Sequence, residues 1–326
     1  MADQTWSLID SDPVVFSTMI RELGVRDVDV EELYSLDDDG WQQLRRCVDD
    51  VYGFIFLVKI PRAAPEDPRP VLDLPSVFFA KQVVHNACAS QALLSVLLNA
   101  EQVDLGPTLS DFKAFAIACD PETRGLCIGN SDEIRQVHNS FASKTGVTFE
   151  GEAPDDEAFH FVAYVPAADG VVELDGLSRG PILCGKTNGG DWASLAMTAM
   201  REKVELVRTA LSNPEECRFT LLMVARDEWS LCQKKEEKLL KDLELAKLLQ
   251  SGTDLEADLV WSSADPMQRA VVMSFPDLEE FNAQVAAELA LTREQLTALE
   301  GERQAQARTV ARKRHDWMPF STEMLK

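Results

Sequence analysis

The chain is short of basic charge: 32 lysines and arginines stand against 55 acidic residues, a net charge of −23. A polyanion repels another polyanion, so nucleic acid is not the expected partner and basic surfaces are. Acidity on this scale also serves plain solubility, and by itself it names no partner. Long apolar runs are lacking too. The longest, Tyr52–Val58 and Ala92–Leu98, fall well below the roughly 20 residues that cross a bilayer. The opening MADQTWSLID carries no basic and apolar leader, and the seven cysteines form no C-x-x-C pair, so a soluble protein of a reducing compartment is expected. Gly-rich phosphate loops are absent. His85 and Cys88 share an H-x-x-C spacing, but no second ligand pair matches it, and neither a metal nor another cofactor is expected. At 326 residues and 45% apolar, the chain can build one large core and a smaller second unit.

What the chain does have is a cysteine in a telling place. In FFAKQVVHNACASQALLSVLLN (78–99) an extended run gives way to helical spacing at Ala89, Ala92, Leu93, Val96 and Leu97, which puts Cys88 in the first turn of a helix. There the free backbone N–H groups and the helix dipole favour a thiolate, and the expectation is a cysteine pKa lowered from about 8.5. Gln82, ahead of the helix, is placed to offer its side-chain amide, with the Cys88 N–H, as an oxyanion hole. A lone cysteine is ordinarily a core residue. Cys88 rises above that only through partners elsewhere.

Two partners stand downstream. AFHFVAYVP (158–166) alternates, with His160 on one side and Phe159, Phe161 and Ala163 on the other, and VVELDG (171–176) follows the turn at 166–170. Read as a hairpin centred in that turn, His160 and Asp175 fall opposite each other, with Cβ atoms about 4.5–5.5 Å apart. A carboxylate would then orient an imidazole for a cysteine nucleophile. Singly, each residue reads as ordinary, a half-buried strand histidine and an Asp-Gly turn residue. Their joint register favours chemistry.

Together with WSLIDSDPVVF (6–16), VEELYSLD (30–37), GFIFLVK (53–59), NSDEIRQVHNSFA (130–142), FHFVAYVP and ELDGLSRGPI (173–182), these residues resemble the ubiquitin carboxyl-terminal hydrolase family of cysteine proteases. The blocks follow in family order over essentially residues 5–226. NSDEIRQVHNSFA and the tail RKRHDWMPF (312–320) resemble the long-form, proteasome-associated members more narrowly. The resemblance implies an α+β, α/β/α-layered, papain-like fold with a knotted topology and a mainly antiparallel sheet. It implies a catalytic domain over 1–226 and an α-helical, partner-binding extension over 227–326. Residue by residue, it carries the nucleophile onto Cys88, the general base and acid onto His160, the orienting acid onto Asp175 and the oxyanion donor onto Gln82. The implied activity is a thiol-dependent deubiquitinase that cuts peptide and isopeptide bonds after ubiquitin's terminal glycine, with polyubiquitin at the proteasome as substrate, in cytoplasm and nucleus. The implied partners are ubiquitin, its conjugates and a proteasomal ubiquitin-receptor subunit, with no nucleic acid, membrane or cofactor. Two alternatives stand beside it: a catalytically silent or autoinhibited ubiquitin-binding scaffold, and a papain-like acyltransferase or general thiol peptidase.

Three further segments carry expectations. KTGVTFEGEAPDDEA (144–158) lacks periodicity and ends beside His160, as a lid over an active site would. After residue 226 charged helices take over. One spans Glu228–Leu249, and a second starts near Pro276 with a seam at 278, 282, 285, 289, 292, 296 and 299. That seam is expected either on the catalytic domain or on a partner helix. The tail reverses the charge trend with Arg312, Lys313 and Arg314 before His315, Trp317 and Phe320. It reads as a solvated helix end, a nuclear localisation patch or a docking element. Long-form relatives continue past the position of Lys326, so altered partner binding is expected of a chain that stops there.

Overall fold

The computed structural model describes residues 5–37, 51–61, 69–72, 74–142, 157–167, 170–187, 191–210, 217–251 and 278–315. Most of the expected lid and the aromatic tail residues Trp317 and Phe320 lie outside the described residues. The chain forms two compact units, one of residues 1–226 with 308–326 and one of 227–307.

In the first unit α1 (Pro13–Glu22) starts on Asp12, whose carboxylate takes the Val14 N–H at 2.9 Å ahead of a proline in the first turn, a capped start with a preset φ. The strands β1 (Val28–Leu33), β2 (Val51–Pro61), β3 (Glu157–Ala167), β4 (Gly170–Leu174), β5 (Ile182–Lys186) and β6 (Phe219–Arg226) make one sheet in the order β1-β6-β2-β3-β4-β5. Each neighbouring pair is antiparallel. The near-continuous apolar run of β2 reads as a strand buried on both faces, and it is central. Tyr52, Ile55 and Leu57 face one core while Phe54, Phe56 and Val58 face the other. The first core is closed by α1 and by α2 (Cys88–Leu97), α3 (Gly106–Ala116), α4 (Pro121–Asn130) and α5 (Asp132–Asn139); the second is closed by α6 (Trp192–Ala210). That is the layered arrangement expected. Every residue of helix α2 from Ala89 to Leu97 is buried, the polar Ser90, Gln91 and Ser95 among them, so the helix meets protein on all sides.

The β3–β4 hairpin departs from the sequence reading by two residues. Ala163 pairs with Leu174, Tyr164 with Glu173 and Ala167 with Gly170, so His160 and Asp175 are not opposite each other. The strands run closer to the turn than the Pro-Ala-Ala-Asp-Gly stretch suggested, leaving only residues 168 and 169 between them. An even slip keeps each side chain on its own face of the sheet.

The second unit is built from α7 (Glu228–Ser251) and α8 (Leu278–Arg314), the latter running on into the first unit. Their antiparallel course shows in the pairs Arg293–Glu236 at 2.7 Å, Lys235–Glu288 at 2.8 Å and Asn282–Gln250 at 3.0 Å. Phe281, Val285 and Leu289 of α8 are buried against Leu239, Leu245 and Ala246 of α7. The seam expected to meet the catalytic domain or a partner is therefore satisfied within the extension itself. In the first unit the end of α8 is also engaged. Arg314 clasps Glu22 through two 2.7 Å contacts and stacks over Phe141, while Lys313 meets Asp10 at 2.6 Å and Asp12 at 3.1 Å. Lys313 and Arg314 of the basic run are thus paired rather than solvated.

Candidate active site

Helix α2 begins at Cys88, and its N-cap, Ala87, offers no side chain to the first turn, so those N–H groups stay available to a sulphur or an oxyanion. The thiol does not gain the expected acidity. Burial pushes the Cys88 pKa up, and the N–H groups of Ala89, Phe161 and Cys88 itself pull it down without reversing that. A helix terminus lowers a thiol pKa when solvent shares the charge; here desolvation wins. The effect of the Phe161 N–H on the thiol puts the sulphur near β3, at the residue next to His160.

His160 is 4% exposed, and its Nε2 lies 2.6 Å from Asp175 Oδ1. Asp175 has left β4 and sits in a turn, where the Leu177 N–H donates to the same oxygen at 2.9 Å, an Asx turn. The pair meets diagonally across the hairpin, a separation that two side chains can span. Burial acts to raise the Asp175 pKa, but the hydrogen bond and charge of His160, the Lys203 ammonium and the Leu177 N–H outweigh it and hold it at about 2. An ionised carboxylate only accepts, so Nε2 carries the proton and Nδ1 is the free lone pair. That is the tautomer a general base needs.

Among the described residues the segment that carries Gln82 has no strand partner, and side chains and single backbone groups from elsewhere hold it. Asn99 brackets Phe78, accepting its N–H at 2.7 Å and donating to its carbonyl at 2.9 Å. The Phe79 carbonyl accepts from Arg124 at 3.2 Å, and the Ala80 carbonyl accepts from the Gln91 amide at 2.5 Å. The Lys81 N–H donates to Pro121 and the Gln82 N–H to Gly176, at 2.8 and 2.9 Å. Helix α4 comes so near that a Cβ on Gly125 would stand 2.0 Å from the Lys81 carbonyl. The Gln82 amide itself donates only weakly, to Val84 at 3.4 Å, a long contact that leaves it able to swing to a new acceptor.

The structure thus joins His160 to Asp175 directly, Cys88 to β3 through Phe161, and Gln82 to the Asp175 turn through Gly176. Sequence reasoning missed the supports Gln91, Asn99 and Arg124. An amide one turn into an otherwise apolar helix was the available signal for Gln91. It also missed Glu173, 1% exposed on β4, which Arg69, Lys203 and Tyr164 enclose. The crowding of buried groups there pushes the Cys184 thiol up to about 12. His138 is a support as well: fully buried, with Nε2 2.7 Å from the Ser7 carbonyl and Nδ1 2.8 Å from the Ser90 hydroxyl. A carbonyl only accepts, so Nε2 donates and Nδ1 accepts from Ser90. Among the described residues no group of three or more His, Cys, Asp or Glu side chains is arranged to hold a metal.

The family model described as ubiquitin carboxyl-terminal hydrolase, family 1, matches residues 6–205. Ubiquitin carboxyl-terminal hydrolase 2 of Schizosaccharomyces pombe is 39% identical over 272 residues, covering 81% of this chain and 86% of that protein. Ubiquitin carboxyl-terminal hydrolase isozyme L5 of Dictyostelium discoideum is 39% identical over 249 residues, covering 74% and 69%. The crystal structure of Trichinella spiralis UCH37 bound to ubiquitin vinyl methyl ester superposes with a TM-score of 0.54 at 36% identity, covering 89% of this chain and 98% of that one.

Proposed function

The chain belongs to ubiquitin carboxyl-terminal hydrolase family 1, and from that premise we propose that Cys88, His160, Asp175 and Gln82 carry its reaction. It is a cysteine-type ubiquitin hydrolase. In the proposed course the Cys88 proton passes to Nδ1 of His160, and the sulphur attacks the carbonyl carbon of ubiquitin's terminal glycine. The oxyanion collects hydrogen bonds from the Gln82 amide and the first-turn N–H groups of α2. The tetrahedral adduct collapses as His160 gives its proton to the leaving amine, which leaves a thioester. Water, deprotonated by His160, then releases the ubiquitin carboxylate and restores the thiol. Asp175 keeps Nε2 protonated throughout.

The observation that carries this reading is the 2.6 Å His160–Asp175 contact with Asp175 held ionised. An orienter that cannot be protonated near neutrality serves one tautomer only. The raised Cys88 pKa fits a resting thiol that needs a base for attack. Incubation with ubiquitin vinyl methyl ester tests the assignment. One adduct on Cys88, absent in Cys88→Ala, is the expected outcome; an adduct on another cysteine sinks it.

The finer part of the proposal is that the substrate is polyubiquitin at the proteasome, in cytoplasm and nucleus, with the helical extension meeting a proteasomal ubiquitin receptor. Similarity to isozyme L5 and the NSDEIRQVHNSFA and RKRHDWMPF blocks support it. Because the α7–α8 seam is filled from within, the receptor would meet the outer faces, where Leu240 and Leu291 are exposed. Co-sedimentation with purified proteasomes, lost in Leu240→Glu/Leu291→Glu, is expected; no co-sedimentation of the unaltered chain removes this part.

A further inference from the structure

We infer that Gln91 is a positioning residue for the oxyanion hole, fixing Gln82 relative to Cys88. The inference rests on the catalytic assignment above.

Gln91 stands one turn beyond Cys88 on α2 and is 6% exposed. Its neighbours on the helix are apolar or small, so a buried primary amide there must be matched by acceptors or cost stability. Its Nε2 donates to the Ala80 carbonyl at 2.5 Å, two residues before Gln82. The same nitrogen lies where a Cβ on Gly176 would come within 2.3 Å of it, and that Cβ would also stand 3.0 Å from the Gln82 Cβ. The Gly176 carbonyl in turn accepts the Gln82 N–H at 2.9 Å. One side chain therefore sits at the junction of three pieces: the nucleophile helix, the extended segment bearing Gln82 and the turn bearing Asp175.

The helix end of this junction is stiff. The Gln91 N–H donates to Ala87 at 2.9 Å, and its carbonyl accepts from the Ser95 hydroxyl at 2.8 Å, so the Gln91 backbone moves only with α2. The segment end has no ladder of its own. Without the Gln91 donor, residues 80–82 would keep their anchors to α4 and Gly176 but lose the single direct bond to the helix that carries Cys88. A displacement of about 1 Å between oxyanion donor and nucleophile is enough to cost roughly a hundredfold in rate. The turn must also keep glycine at 176, because any side chain there would push the Gln91 amide away.

The test uses the full chain with a ubiquitin C-terminal fluorogenic substrate, for Gln91→Leu, Gln82→Ala and the double variant. Gln91→Leu removes the donor and shortens the side chain by one atom, while Gln91→Met removes the donor and keeps the length. Gln91→Leu is expected to lower kcat by about 10- to 100-fold with KM unchanged. In the Gln82→Ala background the same change should lower kcat by less than about threefold, since the group it positions is already gone. A multiplicative double variant, an unchanged kcat, or a loss confined to KM would overturn the inference. If Gln91→Leu does not fold, Gln91→Met, which also lacks the donor, is read in the same cycle. Ubiquitin affinity, measured for Cys88→Ala with and without Gln91→Leu, should be equal; a weakened affinity would count against positioning. Should Cys88→Ala itself retain turnover, the catalytic assignment has failed. If it is inactive and the Gln91 variants keep full kcat, only the present inference has.

Discussion

The hairpin that carries His160 and Asp175 and the segment that carries Gln82 into Cys88 bring equal numbers of reactive groups to one site, yet they are held by opposite means. The hairpin is held by a backbone ladder that its own neighbours supply. Residues 78–82 have no ladder, and Asn99, Arg124, Gln91, Pro121 and Gly176 satisfy them one group at a time. A ladder is redundant, because losing one side chain leaves the backbone bonds in place. A segment pinned by separate single bonds is not, since no neighbouring bond stands in for one that is lost. The chemistry is divided accordingly. Proton transfer sits on the redundant half, and charge stabilisation in the transition state sits on the half that one substitution can shift.

Changes at the reacting groups should be largest. Asp175→Asn keeps the shape of the side chain but removes the charge that fixes the His160 tautomer, and kcat should fall by about 10²–10⁴. The fold should persist, because the hairpin ladder stays intact, and steady-state kinetics beside a thermal melt will show both.

Gly125→Ala should discriminate between the two halves more sharply. Its Cβ would meet the Lys81 carbonyl at 2.0 Å, a clash that costs about 1–3 kcal/mol and is relieved by moving the segment. Turnover should drop while the His160–Asp175 pair keeps its downfield imidazole proton signal by NMR. Loss of that signal would show that the halves are not independent. Asn99→Leu removes the acceptor of the Phe78 N–H and the donor to its carbonyl. It should cost about 1–3 kcal/mol in denaturant unfolding, with activity reduced less than by Gly125→Ala.

Acid should separate two of the buried supports by pH. Asp175 has a folded pKa of about 2, below its usual 3.8, so its contribution is present above about pH 4 and is lost as pH falls toward 2. His138 is pushed below 6.5, chiefly by burial. Being lowered, it favours the fold above that value and withdraws support as pH falls below it. Denaturant midpoints should therefore decline first below pH 6.5, and His138→Gln should remove that early phase. The smallest effect is expected at Arg314. Its ion pair with Glu22 is partly exposed, worth under about 1 kcal/mol, and Arg314→Ala should chiefly speed amide exchange at the end of α8.

Patterning made much of this readable from the chain. The alternation of β3 and the small and apolar helix after Cys88 are local, and each appears where the periodicity put it. The α8 seam was readable in part: of its positions, 285, 289 and 292 are buried, 278, 282, 296 and 299 are half-buried, and the buried Phe281 was not among them. Its partner was not, because a stripe states that a face must be covered and not by what. The hairpin register slipped because the turn was taken to include residues that the strands use. The Cys88 acidity was misjudged because the helix start is local while desolvation is a property of everything packed around it.

The sequence by itself determined which elements form and which four side chains of the proposed site carry reactive groups, since periodicity, capping and chemical type are written in adjacent residues. Only the tertiary structure decided the state of those groups. It decided that Cys88 is a buried thiol, that Asp175 stays ionised and commits His160 to one tautomer, and that Gln82 hangs from Gln91, Asn99 and Arg124. Desolvation, charge and hydrogen bonding act through space, and the residues that supply them here lie up to dozens of positions away along the chain.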